Sequence, residues 1–159
     1  FLFIADQAVK FIMIGPLALQ SRRQIHIVSF FDLTWAENRG VSMGFLEANS
    51  EAQRWLLVAL TALIAGIVAV WMWREKLRGD VLALSMVLGG ALGNIVDRVR
   101  YGYVVDYADL HFGNFRPFWI FNLADACITI GVLILLARAF LIRERDDVHP
   151  ASSGDGIAE

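Results

Sequence analysis

One cysteine, three prolines, three histidines and only 19% charged residues leave this 159-residue chain short of several kinds of chemistry at once. A lone cysteine excludes an internal disulfide and a cysteine-ligated zinc site. The histidines, at 26, 111 and 149, stand outside every long apolar run, so paired axial haem ligation within a bilayer has no support. HExxH and Walker A patterns are both missing. The formal net charge of -2 offers no basic field to attract phosphate backbones, which argues against nucleic acid as a partner. Against about 25% charged residues in soluble domains, 19% charged with 57% hydrophobic excludes extensive disorder and disfavours a water-soluble globule. The length fits one domain.

What the chain has is long apolar runs. Residues 55 to 73 between Arg54 and Arg74 are uncharged; at about 1.5 Å per residue they cover about 28 Å, close to a bilayer's hydrocarbon thickness of about 30 Å. Trp55 and Trp73 at its ends fit interfacial anchoring. A shorter uncharged run, 81 to 96, completes a tilted span with a few flanking residues. A third stretch, 117 to 137, carries one charge, Asp125, and reads as a span with a functional exception. The opening run FLFIADQAVKFIMIG reads as the distal part of a first span whose beginning is missing. The spans and their links form one unit, 1–145; the polar tail 146–159 has no apolar period and is expected to be disordered.

Four spans put both termini on one side. The link 74 to 80 holds Arg74, Lys76 and Arg78, and Arg143 and Arg145 follow the last span, so the basic side, with both termini, is expected to be cytoplasmic. Segments 17 to 54 and 97 to 117 then face outward. Within the first, Ile25, Ile27, Leu33 and Trp35 alternate around Phe30 and Phe31, which predicts one or two short strands at the membrane surface. A turn from Asn38 to Gly44 and a short helix ending near Asn49 are expected to follow.

Several local patterns have ordinary explanations. Gly40 to Gly44 spell G-x-S-x-G, but a nucleophile elbow needs a large α/β sheet for which this chain has no room, so a glycine-rich turn is the better reading of Ser42. Cys127 is expected to be a small packing residue. Gly89 and Gly93 form a small-xxx-small face for close helix approach. Asp6 and Lys10, four residues apart in the first span, are expected to neutralise each other.

The other carboxylates are sharper. A charged Asp at the centre of a membrane helix costs on the order of 2.5 to 3.5 kcal/mol, so Asp125 needs a local reason; proximity to a helix N-terminus is the simplest. Asp106 lies in the apolar and aromatic stretch GYVVDYADL on the same outer side, where a surface turn or strand end would account for it. Two carboxyls forced together cannot easily both ionise, and such a pair can activate water against a peptide carbonyl. Asn94, Asp97 and Arg98 share a helix face, and Asn122 precedes Asp125 by three, which suggests a polar pocket opening outward.

These residues resemble the lipoprotein signal peptidase (signal peptidase II) family of bacterial inner membranes. The likeness runs through DQAVK at 6 to 10, NRGVSMG at 38 to 44, GGALGNIVDR at 89 to 98, GYVVDY at 102 to 107 and FNLADA at 121 to 126. It implies an all-α membrane protein, a four-helix transmembrane bundle with a small outward-facing β platform. The implied activity is that of an aspartic endopeptidase, acting as a monomer without a metal or organic cofactor near the outer face of the inner membrane. It would cut diacylglyceryl-modified prolipoproteins before the lipidated cysteine. The family's catalytic aspartates fall on Asp106 and Asp125, and its supporting residues on Asp6, Lys10, Asn38, Gly40, Asn94, Asp97, Arg98 and Asn122. Members commonly carry an aromatic where Met43 stands, and many carry Ser where Ala126 stands. The competing reading of intramembrane carboxylates is a small proton-coupled transporter or transporter subunit, which would place its site near the midplane of broken or repeated helices.

Overall fold

The computed structural model describes residues 1–40 and 51–148. Five helices and three strands follow one another as α1 (Leu2–Ile14), α2 (Leu19–Arg22), β1 (Gln24–Val28), β2 (Phe31–Asn38), α3 (Glu51–Arg74), α4 (Arg78–Tyr101), β3 (Val104–Leu110) and α5 (Leu123–Val148). Among the described residues three helices, α3, α4 and α5 over Leu123–Leu141, are long and apolar enough to cross a membrane. The opening run does form a helix, but α1 has 13 residues and is not one of those three. On α3 Ala65 alone is buried, while Leu56, Leu60, Leu63, Ile64 and Ile67 are all exposed. One side of α3 is half-buried and the rest is apolar and exposed, as a lipid-facing span requires.

Small residues set the helix approach. A side chain added at Gly89 would meet Leu2 of α1, and one added at Gly90 would meet the Ala124 carbonyl oxygen of α5. Gly93 faces the Asp6 carboxylate in the same way. The expected glycine face thus seats α1, and Gly90 beside it seats α5. At the other end of the pair, Arg138 of α5 is bonded to Asp80 of α4.

The alternating segment forms the hairpin β1–β2, with Gln24 opposite Thr34 and His26 opposite Asp32. A third antiparallel strand, unforeseen in the sequence, pairs with β2 so that Asp32 faces Asp109 and Ala36 faces Asp106. Residues 104 to 109 of β3 are all buried, so both faces are covered and the two-residue polarity alternation that marks a half-exposed strand is lost. Gly102 makes the entry to β3 possible: its φ of 83° is the left-handed conformation that ends a helix, and its N–H donates to the Arg98 carbonyl oxygen at 3.1 Å. Met13, Leu19, Trp35, Val105, Tyr107 and Ala108 pack into one apolar core between α1 and the sheet.

Two boundaries differ from expectation. The last span begins at Leu123, since Phe121 is held in a bridge to Ala108 and Asn122 is the cap, so 117 to 122 stay outside the helix. The helix also continues to Val148, three residues into the segment expected to be tail. The expected turn beyond Gly40, the short helix ending near Asn49, Ser42, Met43 and residues 149–159 lie outside the described residues.

Candidate active site

The site is assembled at the start of α5, where helix geometry leaves four backbone N–H groups without internal partners. Here all four are satisfied. The Leu123 N–H donates to the Tyr107 hydroxyl at 3.1 Å, the Ala124 N–H to Asp6 Oδ1 at 3.1 Å and the Asp125 N–H to Asn122 Oδ1 at 2.9 Å. The fourth, the N–H of the cap residue Asn122, donates to Asp125 Oδ2 at 3.2 Å, so Asn122 and Asp125 make a reciprocal capping box, and the first bond of the helix itself runs from the Ala126 N–H to the Asn122 carbonyl oxygen at 3.2 Å. The helix-start explanation for Asp125 is therefore correct as local structure, and it also fixes the carboxylate in place.

Asp106 is equally fixed. It sits within β3, fully buried, not at a surface turn or strand end. Asn122 Nδ2 donates to Asp106 Oδ1 at 2.6 Å, and the Asn38 side chain bonds the same carboxylate. Asn94 Nδ2 donates to Asp125 Oδ1 at 2.9 Å, while Asn94 Oδ1 lies 3.3 Å from Asn122 Nδ2 and 3.3 Å from Lys10 Nζ. Two asparagines thus link the two aspartates. Burial, and after it the Asp125 charge, push the Asp106 carboxyl up to about 7, against the lowering influence of Asn38, Asn122 and Lys10. Burial similarly pushes the Tyr107 hydroxyl up to about 12.

Beneath this layer Lys10 bridges two acids, Asp6 at 2.9 Å and Asp97 at 2.7 Å, with all three side chains buried. The expected Asp6–Lys10 pair is therefore part of a larger group. Two carboxylates on one ammonium leave a negative excess, which is met by further donors: Gln7 Nε2 to Asp97 at 3.0 Å and to Asp6 at 3.2 Å, the Val105 N–H to Asp97 at 3.1 Å, and the Ala124 N–H to Asp6. Asp6 thereby ties α1 to α5, and Asp97 ties α4 to β3.

Eight of the ten sequence-predicted residues, Asp6, Lys10, Asn38, Asn94, Asp97, Asp106, Asn122 and Asp125, join one hydrogen-bonded group. Gly40 sits at its edge, with φ of 95° and its N–H donating to Asn38 Oδ1 at 3.1 Å. Arg98 stands apart: the Asp125, Asp106 and Asp97 charges surround it, and its buried Nε has no hydrogen-bond partner among the described residues. Gln7 and Tyr107 were missed. Gln7 stands three residues before Lys10, a spacing that shares a helix face, and Tyr107 offers the hydroxyl next to Asp106. Among the described residues no cluster of three or more His, Cys, Asp or Glu could hold a metal ion.

The family model described as Signal peptidase (SPase) II matches residues 1–141. A lipoprotein signal peptidase of Sphingopyxis alaskensis is 59% identical over 143 residues, covering 90% of this chain and 83% of its own. One from Rhizorhabdus wittichii is 59% identical over 154 residues, covering 97% and 88%. Among solved structures, a bacterial membrane enzyme determined in meso at 1.9 Å aligns with a TM-score of 0.74 at 28% identity over 87% of each chain. Another, at 2.3 Å, aligns with a TM-score of 0.72 at 25% identity over 100% of this chain and 90% of that one.

Proposed function

The chain belongs to the signal peptidase II family, and from that premise we propose that Asp106 and Asp125 form the dyad by which it cleaves diacylglyceryl-modified prolipoproteins before the lipidated cysteine. It is a peptidase of the bacterial inner membrane. The finer reading adds α1 as a fourth spanning helix, both termini in the cytoplasm, the sheet and dyad near the outer face, and a monomer as the working unit.

The observation that carries the proposal is Asn122, which binds both carboxylates at once: its Nδ2 donates to Asp106, and its backbone N–H donates to Asp125. In the proposed reaction Asp106 begins protonated, as its raised pKa favours. Asp125 takes a proton from water while the water oxygen bonds to the scissile carbonyl carbon, and Asp106 gives its proton to the carbonyl oxygen. Collapse of the resulting gem-diol returns a hydroxyl proton to Asp106, breaks the C–N bond and passes the proton on Asp125 to the leaving amine. Each aspartate ends as it began. Asn94 and Asn122 orient the dyad, Arg98, whose Nε has no partner among the described residues, meets the substrate backbone, Asn38 and Gly40 shape the rim, and Asp6, Lys10 and Asp97 hold the frame beneath.

The substrate's acyl chains, each gaining about 0.8 kcal/mol per buried CH₂, keep its cleavage point at the bilayer surface, which is the depth given to the dyad here. The transporter alternative requires a carboxylate near the middle of a broken span, whereas Asp125 lies in the first turn of α5 and Asp106 lies in a strand. The test is cleavage of a diacylglyceryl-modified prolipoprotein by the full-length protein in lipid, comparing wild type with Asp106→Asn and Asp125→Asn at matched folding. Both variants are expected to be inactive. Normal turnover by either removes that aspartate from the dyad.

A further inference from the structure

The helix α3 supplies none of the ten residues predicted for the site, yet an arginine in its first turn closes the C-terminal end of α4. Arg54 Nε donates to the Arg98 carbonyl oxygen at 2.8 Å, and its Nη2 donates to the Val99 carbonyl oxygen at 2.6 Å. The last carbonyls of a helix have no partner within it and form the negative end of its dipole, so a guanidinium suits the place. The Arg98 carbonyl already receives the Gly102 N–H, and Arg54 takes its second lone pair.

Arg54 is itself held. Its Nη1 donates to Glu51 at 3.2 Å, its Cζ lies 5.0 Å from the centre of the Trp55 ring, and 24% of its side chain is exposed. Leu57, three residues on, lies where a side chain added at Gly40 would stand, so this turn of α3 is seated against the rim of the site. A planar fork that spans two successive carbonyls from a seated base fixes the rotation of the last turn of α4 as well as its height.

That turn carries Arg98, on which the Asp125, Asp106 and Asp97 charges act. The other polar site residues of α4 have side-chain anchors of their own: Asn94 bonds Asp125, and Asp97 bonds Lys10 and the Val105 N–H. Arg98 Nε has no such partner among the described residues, so the backbone from which the side chain hangs decides where it stands. We propose that Arg54 is a positioning residue for the cleavage reaction, which sets the Arg98 side chain against the substrate by gripping the Arg98 and Val99 carbonyls. The inference rests on the role of Arg98 proposed above.

The test is a double-mutant cycle on prolipoprotein cleavage by the full chain in lipid, with kcat/KM referred to folded protein, using Arg54→Gln, Arg98→Gln and the two together. Arg54→Gln is expected to lower kcat/KM by at least about 10-fold, against the order of 10²-fold that a misplacement of about 1 Å can cost. Arg98→Gln is expected to lose more, and adding Arg54→Gln to it should change kcat/KM by less than about 2-fold. Losses that multiply, or wild-type kcat/KM in Arg54→Gln, would overturn the proposal. Arg54→Lys, which keeps the cation at the helix end but cannot span two carbonyls, takes the place of Arg54→Gln with the same expectation if the latter does not fold. Arg138→Gln frees Asp80 at the other end of α4 and is expected to lower Tm with kcat/KM near wild type. An equal loss of kcat/KM there would reduce Arg54 to general support of α4 and overturn the proposal as well. Wild-type kcat/KM in Arg98→Gln would end the proposed role of Arg98 and this inference with it, whereas the other failures leave Arg98 standing.

Discussion

Two pairs of aspartates, Asp32 with Asp109 within the sheet and Asp106 of the sheet with the half-buried Asp125 of α5, are treated in opposite ways. Asp32 and Asp109 face each other across β2 and β3, and each has charged or chargeable partners: Asp109 holds Arg116, and Asp32 lies against His26 at 2.7 Å and His111 at 3.1 Å. Asp106, three residues before Asp109 on the same strand, receives neutral amides from Asn38 and Asn122, and Asp125 receives them from Asn94 and Asn122. The nearest ammonium, Lys10, is committed to Asp6 and Asp97. The result is visible in the acids themselves. Burial would raise Asp32, but bonds from His26, Gln24 and His111 outweigh it and hold the carboxyl below its ordinary value, whereas Asp106 is pushed up to about 7. Directly paired acids fasten the sheet; acids given only amides keep a proton available.

The comparison breaks most visibly through catalysis. Asp106→Asn and Asp125→Asn are each expected to lower turnover by at least about 10³-fold with folding retained, while Asp109→Asn leaves turnover near wild type and lowers Tm. A prolipoprotein cleavage assay beside a thermal melt separates the two outcomes. Next in size, Lys10→Met strands Asp6 and Asp97 without their buried cation, and should cost about 3 to 5 kcal/mol in a denaturation experiment. Asn122→Ser keeps a capping hydroxyl but removes the reach to Asp106. It should retain most of the stability that Asn122→Ala loses, about 1 kcal/mol, while both variants lose turnover.

Acidity sharpens the contrast further. The folded protein retains the Asp106 proton between the ordinary value of 3.8 and about 7, a range in which the unfolded chain has released it. Wild-type stability therefore falls as pH rises through that window, and Asp106→Asn, which has nothing to titrate there, should gain in Tm relative to wild type from about pH 4 to about pH 7. The smallest expected effect is that of Tyr107→Phe, which removes one bond to the Leu123 N–H and should cost about 1 kcal/mol in the same melt.

Much of this was legible in the residues, because span length and polarity alternation are one-dimensional signals. The runs around 55–73 and 81–96 became α3 and α4, and the Ile25 to Trp35 alternation became β1 and β2. The strand β3 was not legible, since burial on both faces leaves no alternation to read. The start of α5 was misread by six residues, because 117 to 122 are as apolar as a span and only their pairing to β3 keeps them out of the helix. At the site, spacing along a helix placed Asn94 and Asp97 together. That Lys10 would join Asp97 as well as Asp6 depends on how α1 lies against α4, which no local pattern encodes. The role of Asn122 lay in plain view as the capping run Asn122-Leu123-Ala124-Asp125, but its second bond, to Asp106, required the sheet.

The capped start of α5 has a consequence for biogenesis. Asp6 is made near the beginning of the described chain, and the backbone N–H it binds belongs to Ala124, 118 residues later. Until α4 delivers Asp97 and α5 delivers that N–H, the buried acid of α1 has only its neighbouring lysine and glutamine. The junction that organises Asp106 and Asp125 therefore cannot close before the last helix is made, and a nascent chain lacking that helix carries Asp106 without Asp125.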